Sequence, residues 1–181
     1  MGDPFYTRLR NDLKSIEILR NQAKGMLDFI VKPSLQDYAI VIKNIESLVG
    51  TTPYNYIKAT EHEFNIKIPP GYPNRHHPNV FFKKTIFHPN WWDDGRLCYG
   101  EWESNTTLSE FVIDIVRMMQ FDIVNTKSPA NHEANSWYIQ NKNIIDNMIK
   151  KVQFPPPLDE DECLEIGSPE GNDDGIEFLT K

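Results

Sequence analysis

Between residues 27 and 86 the chain carries four segments of strand character, at 27–31, 38–45, 56–68 and 80–86, joined by short turn-rich pieces. Parallel neighbours need a crossover of a dozen or more residues, usually with a helix in it, whereas antiparallel neighbours need only a turn. The segments are therefore predicted to pair as an antiparallel meander. In the third, Phe64, Ile66 and Ile68 alternate with Asn65 and Lys67, the pattern of a strand with one buried face.

Helical patterns flank this block. Asp3 before Pro4 is a helix start: the carboxylate accepts from free backbone N–H groups, and proline at the first position loses no bond. Tyr6, Leu9, Leu13 and Ile16 then recur at helical spacing, which predicts a helix to about residue 24. Thr107 and Glu110 form a capping box ahead of an apolar stripe of Leu108, Phe111, Val112, Ile115, Val116 and Met119. Ala134, Trp137, Tyr138, Ile145, Met148 and Val152 mark a single last helix. The expected fold class is α+β: an N-terminal helix, a four-stranded antiparallel meander, an irregular stretch holding Cys98, a core helix and a C-terminal helix.

The net charge of −7 belongs to one end of the chain. Residues 1–154 carry 18 Lys and Arg against 17 Asp and Glu, while residues 155–181 carry one Lys against nine acids. That last stretch opens on Pro155-Pro156-Pro157, and its Gly, Pro and acid content buries too little apolar surface to offset chain entropy. A domain over 1–154 and an acidic, disordered tail over 155–181 are predicted. The tail is read as solvated, with Leu164, Ile166, Ile176, Phe178 and Leu179 as the alternative of a short motif for a basic partner. No basic patch points to nucleic acid. No apolar run approaches the roughly 20 residues of a bilayer span, and MGDPFYTRLRND lacks a signal peptide's apolar region, so a cytoplasmic protein without a membrane partner is expected.

Two cysteines, Cys98 and Cys163, lie 65 residues apart without a CxxC partner, which suggests neither a zinc site nor a disulfide framework. His76 and His77 with His62 or His88 do not have ligand spacing, so no metal is predicted. Cys163, set among acids that disfavour thiolate, is read as a tail residue.

Cys98 differs, because it closes HPNWWDDGRLC. The string Tyr72-Pro73, then PNVFF at 78–82, His88-Pro89-Asn90, Gly95-Arg96-Leu97-Cys98 and Ser128-Pro129, in this order of elements, resembles the ubiquitin-conjugating enzymes over residues 4–152. Cys98 lies ten residues after His88, the family's usual separation. The resemblance implies the fold of that family and an activity: ubiquitin or a ubiquitin-like modifier is accepted from an activating enzyme as a thioester on Cys98, then passed to a lysine of a substrate protein. It implies no cofactor, since ATP is used upstream by the activating enzyme.

The chemistry suits these residues. Exchange of one thioester for another breaks a bond like the one it forms, so no strong base need stand beside the thiol. Attack by an amine is harder, because it builds an oxyanion that a preorganised donor stabilises. The resemblance implies that Asn90 supplies that donor, with turn capping as the plain alternative. His88 is expected to fix the loop by a backbone hydrogen bond and Pro89 to set its turn. In NTKSPAN, Ser128 ahead of Pro129 is the candidate for orienting the amine, although a capping serine fits the residues as well, and Lys127 departs from the often acidic surroundings. Trp91 and Trp92 are either core or contact surface for modifier. Ile113 and Arg117 lie off the stripe of the 108–119 helix and, by resemblance, are candidate modifier contacts, with fringe packing as the alternative for Ile113.

The chain departs from the family where ligases bind. Glu101-Trp102-Glu103-Ser104-Asn105 stands where Trp-Ser-Pro is frequent, and Asn74-Arg75-His76-His77 fills the loop that often holds an aromatic. Ordinary RING or HECT ligase binding is therefore not expected. An intact catalytic set with reduced ligase surfaces resembles the ubiquitin-conjugating-like proteins of bacterial modifier operons, some of which serve antiphage defence. A non-catalytic adaptor on the same scaffold is the competing function, disfavoured by the presence of both Cys98 and Asn90. A thiol hydrolase is remoter, since no His and acid pair can be assigned to Cys98.

Overall fold

Asp3 starts the first helix as its sequence suggests: the carboxylate accepts the Phe5 N–H at 2.9 Å, with Pro4 at the first position. The computed structural model describes residues 3–157. Helix α1 (Pro4–Gln22) buries Leu9, Asp12, Ile16 and Leu19 on one side. It stops where Lys24 and Gly25 turn to positive φ.

Strands β1 (Leu27–Val31), β2 (Asp37–Gly50), β3 (Tyr56–Lys67) and β4 (Asn79–Phe82) form one antiparallel sheet in chain order. Ile40 and Ile42 on β2 and Phe64 and Ile66 on β3 turn inward, and α1 and α2 (Leu108–Met119) cover that face. The predicted meander is thus present. Two boundaries differ by more than one residue. β2 runs five residues past the expected end because a bulge between Lys43 and Ser47, with Asn44 at φ 61°, breaks the alternation without ending the strand. β4 stops at Phe82 rather than 86: Phe82 still pairs with Phe64 and the Lys83 N–H still reaches the Glu63 carbonyl at 2.9 Å, but the chain bends at 83–84 and Ile86 returns only as a single bridge to Val49.

Helix α2 has the predicted capping box, and all six stripe residues are buried. The expected single C-terminal helix is instead two, α3 (His132–Asn141) and α4 (Ile145–Met148). The Asn141 side chain donates to the Trp137 carbonyl at 2.8 Å and competes with the helical ladder there. Val152 lies beyond both helices in an extended stretch, its N–H held by Gln120 Oε1 at 2.6 Å. The predicted tail falls outside the described residues from 158 onward, Cys163 included, while Phe154 at the domain boundary is packed in the core.

One buried carboxylate ties these layers together. Asp12 on α1 is 1% exposed and accepts from Arg8 Nε (2.9 Å), from the Tyr72 hydroxyl (2.7 Å) and from the Leu108 N–H at the start of α2 (3.1 Å). Arg8 also donates to the Ser104 carbonyl at 2.7 Å and to the Thr106 carbonyl, so the chain between Cys98 and α2 is anchored to α1.

Gly95 is the tightest point of the approach to Cys98. Its φ is +85°, and a Cβ there would lie 2.4 Å from the Phe82 carbonyl oxygen. Gly95→Ala is expected to cost about 2 kcal/mol or more, through both strain and displacement of this backbone. Urea unfolding checks it; an unchanged midpoint would mean that the loop does not hold this geometry.

Candidate active site

The ten-residue separation of His88 and Cys98 is the length of a hairpin. The Cys98 N–H donates to the Asn90 carbonyl at 2.7 Å, Trp91 bridges Leu97, and the Trp92 N–H reaches the Arg96 carbonyl at 2.9 Å. Asp93, Asp94 and Gly95 make the turn, with Asp94 Oδ1 accepting the Arg96 N–H at 3.1 Å. A short loop of turn formers therefore brings Asn90 opposite Cys98, a half-buried free thiol.

His88 is fully buried, its ring 4.5 Å from that of Phe121 and edge-on to Trp91 at 5.2 Å. Nδ1 accepts the Asn90 N–H at 3.0 Å, which puts the proton of the neutral imidazole on Nε2. Burial alone pulls its pKa from 6.5 to about 3. The ring is thus neither a base for Cys98 nor a charge, but a fixed acceptor for the loop. The unfolded chain takes up a proton near pH 6.5 that native His88 refuses until about 3, so stability falls as pH is lowered through that window. Buried His62 is shifted the same way, chiefly by burial. In melts across this range the wild type should lose stability more steeply than His88→Asn, which retains an oxygen acceptor; parallel slopes would show that His88 titrates normally.

Asn90 is 1% exposed and held at both ends. Oδ1 accepts the Asn125 N–H at 2.8 Å, while Nδ2 faces the Cys98 carbonyl at 3.4 Å and Met118 Sδ at 3.7 Å. Asn125 in turn bonds Ser128 twice, Oδ1 accepting its N–H at 3.0 Å and Nδ2 donating to its carbonyl at 2.9 Å. The Pro89 carbonyl accepts from the Ala130 and Asn131 N–H groups at 2.7 and 3.1 Å. The loops 88–90 and 125–131 are thereby joined, with Ser128 exposed at the edge and Pro129 half-buried behind it.

The two tryptophans separate. Trp91 is 0% exposed and packs edge-on against Phe82 at 5.3 Å, so of the two readings open for it the core one holds and the candidate modifier contact is corrected; the strand alternation of the hairpin points it inward. Trp92 is half-buried, with the Arg96 guanidinium stacked over its ring at 5.0 Å. Beside them lies a cleft of about 260 Å³ lined by His77, Phe81, Trp92, Arg96, Cys98 and Tyr99, among others.

A family model of ubiquitin-conjugating enzymes matches residues 8–153. The chain belongs to the ubiquitin-conjugating enzyme family. The fold is similar to the crystal structure of a "putative ubiquitin conjugating enzyme from Plasmodium yoelii", at 24% identity and a TM-score of 0.55, over 82% of this chain and 92% of that one.

In this member of the ubiquitin-conjugating family, His88, Pro89, Asn90, Cys98, Ser128 and Pro129 converge on one edge of the domain. Ile113 is half-buried at the fringe of the core and Arg117 is exposed on α2, where it pairs with Asp114 at 3.1 Å. Asp114 also accepts the Tyr99 hydroxyl at 2.7 Å, and burial together with this carboxylate holds the Tyr99 phenol above its ordinary range. Trp102, whose Nε1 donates to the Pro73 carbonyl at 2.7 Å, packs with Tyr72, Tyr99 and Phe111 and closes the chain after Cys98 onto the 72–77 loop. The ring that stands in the altered ligase segment is therefore part of this packing. His62 sits within the sheet, Nε2 2.8 Å from the Ile45 carbonyl, and no group of three or more His, Cys, Asp or Glu placed to hold a metal occurs among the described residues. No helix of the described residues is long and apolar enough to cross a membrane.

Sequence reasoning missed Asn125, Asn131, Tyr99 and Asp114. Two of them carried a local signal: Asn125 stands three residues before a Ser-Pro, the spacing of a side-chain-capped turn, and Asn131 is the N-cap of α3, accepting the Ala134 N–H at 2.8 Å.

Proposed function

We propose that this protein is a thioester carrier that accepts ubiquitin or a ubiquitin-like modifier from an activating enzyme and transfers it to a lysine of a substrate protein. In the first step the Cys98 thiolate attacks the carbonyl of the activating enzyme's thioester; the new carbon–sulfur bond forms as the old one breaks, and the activating enzyme's thiolate leaves. In the second, a lysine amine attacks the Cys98 thioester, the oxyanion collapses, Cys98 leaves as thiolate, and the amine's surplus proton passes to water or to a loop residue. The reading rests on one observation above all: the Asn90 amide is locked with its donor end beside Cys98. Such a donor, fixed before the oxyanion appears, lowers the barrier without reorganisation. Ser128, exposed across from Asn90, orients the incoming amine, and Trp92, Ile113 and Arg117 contact the modifier.

Charging tests this reading. Purified protein is mixed with ATP, the modifier and an activating enzyme that has been shown to charge itself, then run on a gel with and without reductant, with Cys98→Ala as control. An ATP-dependent band that reductant removes and the variant lacks supports the carrier. Binding of modifier or activating enzyme without any band would support the adaptor instead.

A further inference from the structure

We infer that Tyr99 is a positioning residue that braces Cys98 from its C-terminal side by spanning to Asp114 on α2, an inference that rests on the carrier reading above. On its N-terminal side Cys98 is held by the hairpin, where its N–H donates to the Asn90 carbonyl at 2.7 Å. On the other side the chain leaves regular structure: residues 99–107 belong to no helix or strand, and Gly100 turns to φ +98° with open space around it. The first anchor there is the Tyr99 side chain. Its hydroxyl donates to Asp114 Oδ2 at 2.7 Å, and its ring packs against Phe111 at 4.7 Å. A hydrogen bond to an ionised acceptor is roughly twice as strong as a neutral one. Burial, with the carboxylate adding to it, keeps the phenol protonated well above neutrality, so the donor persists at neutral pH.

What the span holds is the peptide between residues 98 and 99, whose carbonyl the Asn90 Nδ2 faces at 3.4 Å. With one end in the hairpin and the other tied to α2, this peptide resists rotation, and the sulfur keeps its place beside the Asn90 donor. Charging asks only that the thiol be reachable. Discharge needs the thioester carbonyl aimed at that donor, and a misplacement of about 1 Å can cost up to about 10²-fold. Asp114 Oδ1 meanwhile accepts from Arg117 at 3.1 Å, so the carboxylate that braces Cys98 also holds a residue assigned above to the modifier contact. Tyr99 forms part of the wall of two cavities, the cleft at Cys98 and one of about 430 Å³ bounded by Glu101, Glu103 and Glu110 among others, so a test of the hydroxyl has to keep the ring.

Tyr99→Phe, Asp114→Ala and Asp114→Asn in the full chain test this. Tyr99→Phe keeps the ring and removes the donor, Asp114→Ala removes the acceptor, and Asp114→Asn keeps an oxygen that can accept. In the first two, charging should stay within about twofold of wild type while discharge falls about tenfold at saturating lysine, with the half-saturating lysine concentration unchanged. Asp114→Asn should recover part of the loss. Tyr99→Phe combined with Asp114→Ala should be no slower than either alone, because both remove one bond. A second measurement needs no charging: exchange of the Cys98 amide hydrogen should quicken about tenfold in Tyr99→Phe and Asp114→Ala while amides of the sheet exchange as before. Wild-type discharge in Tyr99→Phe, losses that multiply in the double variant, an Asp114→Asn no faster than Asp114→Ala, or unchanged exchange at Cys98 would overturn the role. A wild-type chain that never charges would overturn the carrier reading instead, and exchange at Cys98 would still decide whether Tyr99 braces it.

Discussion

Cys98→Ser is expected to give a modifier adduct that survives reductant but no longer passes to lysine, and Cys98→Ala no adduct at all. The hydroxyl that replaces the thiol is a far weaker nucleophile at neutral pH. No local base makes up the difference, since the His88 ring is fully buried and its Nδ1 already accepts the Asn90 N–H. Charging of the serine variant is therefore slow, and its product is an oxyester with a poorer leaving group than thiolate. Discharge is the step lost. Mass spectrometry of the adduct, with alkaline hydrolysis and reductant compared, checks the bond. A reductant-sensitive adduct that persists in Cys98→Ala would move the carrier role to Cys163, the only other cysteine of the chain.

Asn90→Ala is expected to slow lysine discharge by about 10²- to 10³-fold while leaving charging far less affected. Two effects of the substitution must be separated, because Asn90 also serves the fold. Alanine removes the donor beside Cys98 and also strands the half-buried Asn125 N–H, which costs stability of its own. Asn90→Asp distinguishes them: it keeps an oxygen for Asn125 but has no donor to offer. If its discharge is as slow as that of Asn90→Ala while its thermal midpoint stays nearer to wild type, the donor carries the rate. Restored discharge in Asn90→Asp would assign Asn90 to loop structure alone.

The expectations that rested on local spacing match the structure most closely. The Asp3-Pro4 cap, the capping box of Thr107 and Glu110 and the stripe from Leu108 to Met119 each involve residues within a turn or three of one another, and each is present. The meander followed from the shortness of its connections, and its order β1-β2-β3-β4 is the one that short turns permit. Where local signals conflicted with a longer-range partner, boundaries moved. The bulge at Lys43–Ser47 hid the continuation of β2, and the bend at 83–84 ended β4 earlier than apolar content indicated.

For the site, the candidate nucleophile and the hairpin that carries it were legible in the sequence alone. A turn-forming run between Asn90 and Cys98 brings the two opposite each other almost whatever surrounds it, because hairpin closure depends on residues in the run itself. The orientation of the Asn90 amide, the inward turn of Trp91 rather than Trp92, and the anchoring of Tyr99 to Asp114 were decided only by the tertiary structure. Asn90 and Asn125 are 35 residues apart, and each has groups able to bond many partners. Which of them meet depends on how α2 and the 125–131 loop pack against the sheet, since a buried polar group takes whatever partner that packing presents.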